Sequence, residues 1–518
     1  MSAPASPADP ALGKWPPTLT VMLGMMSSIM TSTMVNVAIP DIMGAFGIGQ
    51  DRAHWLSTGF LAAMTVAMLL NAWFVRNIGA RNTFVLANVV FVGASMMGFS
   101  SPSFDGIIVA RVIQGACAGL IQPLGMSVIF TAFPPAERGK AMGIFGMGVV
   151  VGPALGPLIG GLIVDGLDWR FVFLGALPIS VLAAALGTRY VPGRAANATR
   201  GRLNWISFVL VTAAVVAFLN GISQGQREGW GAPLVLALLG GAALAMLLFA
   251  EVESRTRHPL LNPRLFADRG FAVASVIGFM FGAGMFGTIY LMPIFVQTIQ
   301  GFTATKAGTL LLTAEILAIA MYPVAGWLAQ HYRPGYPIAA GLALFGVSAF
   351  SLTAADSDSG FWFLVGWSAV GRIGLATVFP ALTASALATL AKDMVAQGAG
   401  TMNFIRMTGG AFGVNLMAIL LERGASGHAA LLTASQTAAN DTTRSLLERT
   451  SGLLIEAGLP AGQRMALALD YLGDMIVARA DGLAFRDAFM VLAIGFAVAS
   501  FSALLLGARS PKPIIQER

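Results

Sequence analysis

Residues 143–161 read GIFGMGVVVGPALGPLIGG. The run is apolar and, with its flanks, long enough to cross a bilayer, yet glycine and proline fill nearly half of it. Gly148, Gly152, Gly156 and Gly160 recur every four residues and so share one side of a helix. Lipid removes the hydrophobic drive between helices, and a smooth stripe of this kind replaces it by letting backbones approach closely. Pro153 and Pro157 each delete an internal hydrogen bond and are expected to bend the rod. Two readings follow, a tightly packed membrane helix or a packing hinge in a transporter.

The rest of the chain places that run in a membrane. Hydrophobic residues make up 56% of the 518 and charged residues 11%, with a mean hydropathy of +0.76. Apolar runs near the roughly 20 residues that span a bilayer recur from end to end. They fall at about 17–39, 54–74, 82–101, 104–131, 138–164, 169–190, 204–222, 232–251, 271–297, 306–331, 337–355, 361–391, 395–422 and 486–507, and are numbered here as spans 1 to 14. The runs are continuous rather than alternating, so they are helices and not barrel strands. The fold class is therefore an all-α polytopic membrane protein.

The net charge of +7 does not point to nucleic acid, because its distribution follows the loops. Lys14, Arg76, Arg81, Arg138, Lys140, Arg189, Arg194, Arg200 and Arg202 stand beside alternate loops, as do Arg255, Arg257, Arg264, Arg269, Arg333, Lys392, Arg509, Lys512 and Arg518. The opposite short loops hold Arg52, Arg170, Arg227 and Lys306. This positive-inside asymmetry, with an even number of spans, predicts both termini in the cytoplasm. Cys117 is the only cysteine, which excludes an intrachain disulfide. The polar start leads into a full-length first span, expected to be retained as an anchor.

Two cytoplasmic turns echo each other. AWFVRNIGARNTF joins spans 2 and 3, and GWLAQHYRPGYP joins spans 10 and 11, each with a Trp near the helix end and a basic turn after it. Parallel repeats leave such a trace. The expected division is a tail (1–16), a six-helix half (17–190), a linker with two inserted helices (191–251), a second six-helix half (252–507) and a tail (508–518). Within the second half, 423–485 reads as an outer helical hairpin. Asp441 starts one piece, Gly458-Leu459-Pro460 breaks the chain, and Met465, Leu467, Leu469, Leu472 and Met475 mark the second piece. It is expected either to rest on the bundle as a lid or to serve as a docking surface.

Four ionisable residues fall within spans: Arg111, Glu315, Arg372 and Arg406. Each costs about 2.5–3.5 kcal/mol at a helix centre, so each needs a partner or a watery cavity. Arg372, beside Gly371 and Gly374, is the least telling of them. Glu315 is the acidic residue placed deepest, and a buried carboxylate near an arginine can exchange a proton as access alternates. Glu315, Arg406 and Arg111 are thus the candidates for proton coupling, against a static Glu315–Arg406 or Glu315–water pair. Span 1 carries Met22, Met25, Met26, Met30 and Met34, which suit either membrane filling or an adaptable apolar pocket. No GxxxxGK[ST] loop, HExxH or Cys/His metal spacing is present, and His54, His258, His331 and His428 are scattered, so an enzyme is not expected.

RVIQGACAGLIQP (111–123) in span 4 and GMGVVVGPALGPLIGG (146–161) in span 5 resemble the major facilitator superfamily, and within it the fourteen-span drug:proton antiporters of the EmrB/QacA type. WRFVFLGALPIS (169–180), HPLLNPRLFADRGF (258–271), IYLMPIFVQTIQG (289–301) and NFIRMTGGAFGVN (403–415) extend the resemblance over nearly the whole chain. The resemblance implies a major facilitator fold of two six-helix halves plus two inserted helices. It maps functional positions onto Arg111, Gln114 and Gly115, onto Gly152, Pro153, Gly156, Pro157, Gly160 and Gly161, and onto Arg406. In this family the span 5 element is associated with export.

Two departures stand out. Where the family's span 1 reads like LDxTIVNVALP, this chain has MTSTMVNVAIP, with Thr31 at the acidic position implicated in proton coupling. The cytoplasmic GxLADRxG pattern is also degraded, with Arg76 where an Asp is common. Glu315 stands where relatives tend to be apolar and is expected to take over the proton.

The expectation is a proton-coupled exporter of small amphipathic compounds in a bacterial inner membrane, driven by the proton motive force without a cofactor. Its cavity would be lined by Asn36, Gln114, Gln122, Tyr290, Asn403 and Asn415, with Met26, Met30 and Phe286 as apolar contacts and membrane lipid around it. Gram-negative relatives imply a periplasmic adaptor protein and an outer-membrane channel as partners, reached through 423–485. The alternatives are a dedicated exporter of one metabolite, fatty acid or other lipid, or siderophore, and a non-transporting scaffold or sensor, the latter motivated by Thr31.

Overall fold

A computed structural model describes residues 13–504 except 54, 195–200, 257–258 and 438–439. Most of both tails, part of the mid-chain linker, and the readings placed on His54, Arg200, Arg257, His258, Arg509, Lys512 and Arg518 lie outside the described residues.

Among the described residues fourteen helices are long and apolar enough to cross a membrane. Spans 1 to 6 are Trp15–Val37, Trp55–Ile78, Ala80–Ser100, Phe104–Ala132, Arg138–Gly166 and Leu177–Tyr190, the last preceded by the 3-10 turn Trp169–Phe173. Spans 7 and 8 are Trp205–Glu228 and Pro233–Arg255. Spans 9 to 14 are Arg269–Thr298, Ala304–His331, Gly335–Leu352, Phe361–Ala388, Val395–Ser435 and Ala461–Leu504. Local chemistry sets many of the starts. Ser103, Asn204, Asp268 and Thr303 each accept a backbone N–H of the first turn, satisfying a donor the helix itself cannot. Between spans 2 and 3 the chain turns at Gly79 with φ of +88°, where a side chain would be strained and would meet Arg194.

Most of the packing within the halves follows one rule, the contact of spans 13 and 14 being an addition to it. Span 1 packs on spans 5 and 6, span 2 on span 4, and span 3 on spans 4 and 6; adding eight to every number gives pairs that also pack. The rule holds between the halves as well: span 5 lies against spans 10 and 12, and span 13 against spans 2 and 4. The helix packing thus repeats with a shift of eight spans. Close pairs within a half meet backbone to backbone. Gly115 and Gly119 of span 4 face the Phe60 and Met64 carbonyls of span 2, and Gly409 and Gly413 of span 13 face the Phe279 and Ala283 carbonyls of span 9. A Cβ at any of these would overlap main chain, which cannot step aside.

Spans 7 and 8 pair with each other and cover one seam between the halves. Val211 and Val215 of span 7 and Phe249 of span 8 join Val66 and Leu69 of span 2 and Phe404 of span 13 in one apolar cluster. The 423–485 region takes an unexpected form. Span 13 is 41 residues long and span 14 is 44. At about 1.5 Å per residue they are some 60 Å rods, about twice the hydrocarbon thickness of a bilayer. Between them the helix Asp441–Glu456, capped by Asn440, packs on span 14. The second expected piece has no end of its own and runs directly into span 14.

Candidate coupling site and substrate path

Span 5 is one continuous helix through Pro153 and Pro157. Its glycines divide by neighbour. Gly148, Gly152, Gly156 and Gly160 lie against span 1, at Met22, Met26 to Met30, Thr33 and Met34. Three earlier glycines, which the stripe does not include, meet the other half: Gly139 faces Ala329 and Gln330, Gly143 faces Tyr322 and Gly326, and Gly146 faces Tyr322 and Phe379. Gly161 faces open space. The stripe therefore holds span 5 to its own half, and Gly139–Gly146 hold the two halves together.

Those contacts close the bundle at the end where span 1 begins. Phe379 of span 12 is the centre of an aromatic floor. Phe145 of span 5 stacks on it at 5.8 Å, Phe281 of span 9 leans on it at 5.8 Å, and Tyr322 of span 10 meets it edge-on at 6.4 Å. At the second seam Gly400 of span 13 faces the Met68 carbonyl, and Asn71 Nδ2 donates to the Ala396 carbonyl at 3.5 Å. Towards the other end Leu158 and Leu162 of span 5 and Ile316 and Leu317 of span 10 are exposed.

Glu315 forms an ion pair with Arg372, Arg372 Nη1 lying 3.0 Å from Glu315 Oε1, with side chains 11% exposed for Arg372 and 19% for Glu315. The partner is thus neither Arg406 nor water, the two offered by the static alternative, but Arg372, the residue taken as least telling. Spans 10 and 12 are neighbours within the second half and turn these two side chains towards each other, whereas Arg406 on span 13 faces elsewhere. By helix rise, Glu315 and Arg372 both lie about 16 Å from the ends where their helices begin, near mid-bilayer. Beside the pair a crevice within the second half is lined by Thr288, Ala314, Phe345, Ser348, Ser368 and Arg372.

Arg406 Nη2 donates to Asn403 Oδ1 at 2.6 Å, and its guanidinium lies over the Phe379 ring at 5.2 Å. Asn403 in turn donates to the Ala399 carbonyl and reaches Met126 Sδ of the first half at 3.3 Å. Arg406 and Asn403 therefore sit between the halves, on the aromatic floor. Tyr322 meets Phe379 edge-on and lies against Gly143 and Gly146 of span 5, so it belongs to the same floor.

Arg111 forms a third, separate site. It is fully buried, donates from Nε to the Leu56 carbonyl at 3.0 Å and from Nη1 to Gln114 Oε1 at 3.1 Å, and lies over Phe60 at 4.3 Å. Gln114 passes the network on to Ser95 Oγ at 2.9 Å. Among the described residues Arg111 Nη2 has no hydrogen-bond partner. Among the described residues no carboxylate lies within 4.0 Å of Arg111 or Arg406. Thr31, at the acidic position of the resemblance, is buried and donates back to the Ser27 carbonyl of its own helix at 2.9 Å.

The remaining expected residues are dispersed. Met30 belongs to an apolar cluster inside the first half, with Met34, Leu56 and Phe173. Met26 is half-buried, and its carbonyl abuts Gly152. Asn36 is exposed and accepts from Ser57 Oγ at 2.7 Å. Gln122 is buried with its Oε1 unpartnered, and Asn415 donates to Ala411 while its Oδ1 is unpartnered. Phe286 rests on Gly410, and Tyr290 packs on an apolar cluster of the second half. Of the nine substrate candidates, only Asn403 is joined to an expected ionic group at the floor. Phe379, Phe281, Phe145, Tyr322 and Met126 complete that floor, and sequence reasoning missed them. They come from five spans, and each alone reads as ordinary apolar filling.

Two six-helix halves repeated by a shift of eight, touching at one end and carrying charges at mid-depth, define a polytopic membrane transporter. The chain belongs to the Major Facilitator Superfamily, whose profile matches residues 21–414. It is 28% identical over 462 residues to the fatty acid resistance protein FarB of Neisseria gonorrhoeae, covering 87% of this chain and 88% of that one. It is 27% identical over 441 residues to the multidrug export protein EmrB of Escherichia coli K12, covering 84% and 86%. Among solved structures, the human organic anion transporter MFSD10 matches in fold with a TM-score of 0.64 at 12% identity, covering 95% of this chain and 99% of that one.

Proposed function

We propose that this transporter exports small amphipathic compounds across a bacterial inner membrane in exchange for protons, with Glu315 as the proton carrier and Arg372 as its electrostatic latch. The observation that carries the reading is the mid-depth Glu315–Arg372 pair. It joins spans 10 and 12, and span 10 also makes the Gly143 and Gly146 contacts that close the bundle. Protonating Glu315 leaves Arg372 without its counter-charge, so the pair no longer fixes the angle between those helices. A proton thereby biases one facing state over the other, which is the differential interaction that coupling requires. Thr31 carries no titratable group at the acidic position of span 1, which supports moving the proton's place to span 10. The name borne by EmrB, a multidrug export protein, supports export as the direction.

In this reading both termini are cytoplasmic, the proton motive force is the energy source and no cofactor takes part. The rods that extend spans 13 and 14, with the helix Asp441–Glu456, would stand in the periplasm. Leu431, Leu453, Met465 and Tyr471 are exposed on them and would contact a periplasmic adaptor leading to an outer-membrane channel.

The test is reconstitution in liposomes with an internal pH dye and amphipathic compounds of both charges. Glu315→Gln keeps a hydrogen bond to Arg372 but carries no proton, and should abolish substrate-driven proton movement while the protein stays folded. Intact proton movement in E315Q would refute the assignment. Replacing 441–456 by a short loop should abolish adaptor capture; retained capture would dismiss the docking role.

A further inference from the structure

Three hydroxyls line the crevice beside Arg372, and they are not alike. Thr288 Oγ1 donates to the Gly284 carbonyl at 2.7 Å, and Ser348 Oγ donates to the Trp367 carbonyl at 2.6 Å. Ser348 can reach span 12 because Gly371 has no side chain, and a Cβ there would lie 2.7 Å from its Oγ. Ser368 differs. It is 8% exposed, and among the described residues its Oγ has no hydrogen-bond partner. A buried hydroxyl left unbonded costs free energy, so a partner is expected in some state the transporter visits. Ser368 stands one turn before Arg372 on span 12, so the two share a face, and an arginine on a helix leans towards the turn that precedes it. The room beside them takes about one water molecule. That excludes a substrate and leaves a guanidinium edge space to turn.

We propose that Ser368 is the second partner of the Arg372 guanidinium, engaged when Glu315 is protonated, and so a positioning residue for proton coupling. The inference rests on the reading of Glu315 as the proton carrier and adds what receives the arginine. With Glu315 ionised, Arg372 Nη1 is held 3.0 Å from Glu315 Oε1 and Ser368 is unengaged. When a proton passes from water to a Glu315 oxygen, the carboxyl becomes neutral, and a bond roughly twice as strong as a neutral one is lost. The guanidinium keeps its charge and needs acceptors at mid-depth. Ser368 is the crevice hydroxyl not committed to a carbonyl, so its oxygen accepts an Arg372 N–H. By turning from span 10 to its own helix, Arg372 gives up the link between spans 10 and 12. No charged acceptor competes with Ser368 among the residues lining the crevice. Spans 9, 11 and 14 line it with hydroxyl and apolar side chains only. Span 5 meets span 10 through Gly139, Gly143 and Gly146 and meets span 12 through Phe145. The titratable groups of the floor are Tyr322 and Arg406, the latter facing a separate, water-sized cavity between the halves.

The test uses full-length protein in nanodiscs and measures no transport, so its failure is distinct from failure of the export reading, which E315Q in liposomes decides. Ser368→Val and Ser368→Thr add nearly the same bulk and differ in the hydroxyl. In thermal melts at neutral pH the two should share one Tm when Glu315 is present. In the E315Q background, where position 315 is permanently uncharged, S368V should melt below S368T. The carboxyl infrared band that E315Q removes is also titrated with acid. Its midpoint should lie about one pH unit lower in S368V than in S368T, a tenfold loss of proton affinity, because losing the hydroxyl penalises the protonated form alone. A Tm difference of equal size in both backgrounds would make the hydroxyl merely structural. Equal Tm values in the E315Q background, or coincident midpoints, would show that Arg372 does not use it. Each of these results overturns the proposal. If E315Q/S368V does not fold, the two infrared midpoints decide.

Discussion

Gly143→Ala adds one carbon where the halves meet, and the structure sets its consequence. The new Cβ would lie 2.8 Å from the Tyr322 carbonyl oxygen and 3.1 Å from Gly326 Cα, both main-chain atoms of span 10. An ordinary contact begins near 3.4 Å, so spans 5 and 10 must separate by 3.4 − 2.8, or 0.6 Å. Overpacking of a tight interface costs about 1–3 kcal/mol. The exchange of Gly for Ala also gains about 1 kcal/mol of helix propensity. That gain is present in both facing states and cancels from the equilibrium between them, whereas the clash exists only when this end is closed. A bias of about 2 kcal/mol moves the ratio of the two states by roughly 30-fold, since about 1.4 kcal/mol is tenfold. Spin labels at Leu162 of span 5 and Thr309 of span 10, in a chain whose Cys117 is replaced by Ser, report the distance between the open ends. G143A should move the distribution to shorter distances. Gly161→Ala, whose Cβ would meet nothing, should leave it unchanged. An unshifted distribution in G143A, or an equal shift in G161A, would refute the assignment of Gly143 to the closing contact.

Gly115→Ala should behave differently, because its Cβ would overlap the Phe60 carbonyl inside one half, a contact present in both facing states. It should lower Tm in a detergent melt, by an amount matching about 2–3 kcal/mol, without moving the spin-label distances. Arg372→Gln should destabilise the fold by about 3 kcal/mol, since it strands the mostly buried Glu315 carboxylate. The exchanged pair E315R/R372E should recover most of that loss in the same melt. An exchanged pair no more stable than R372Q would show that the two charges do not depend on each other.

The fourteen spans were legible because a membrane helix must carry its apolar character in every turn, whatever its neighbours are. Arg111 and Glu315 were legible for the converse reason, that a charge in such a helix is costly enough to mark itself. The span 5 stripe was legible as one helical face, but not which helix it meets. That the stripe faces span 1, and that Gly139, Gly143 and Gly146 meet span 10, follows from where span 5 crosses between the halves.

The ion pair marks the boundary most sharply. Glu315, Arg372 and Arg406 each announce a need for a partner, and no spacing in the chain chooses among them, because the choice depends on how spans 10, 12 and 13 are rotated about their axes. Rotation is fixed by the packing of glycine faces such as Gly409 and Gly413 on span 9, which turns Arg406 towards Phe379 and leaves Arg372 to Glu315. By itself the sequence determined a helical membrane protein of fourteen spans with four costly charges. The tertiary structure alone decided which charges are neutralised and which is left facing a cavity, because neutralisation is a matter of distance between helices and not of order along the chain.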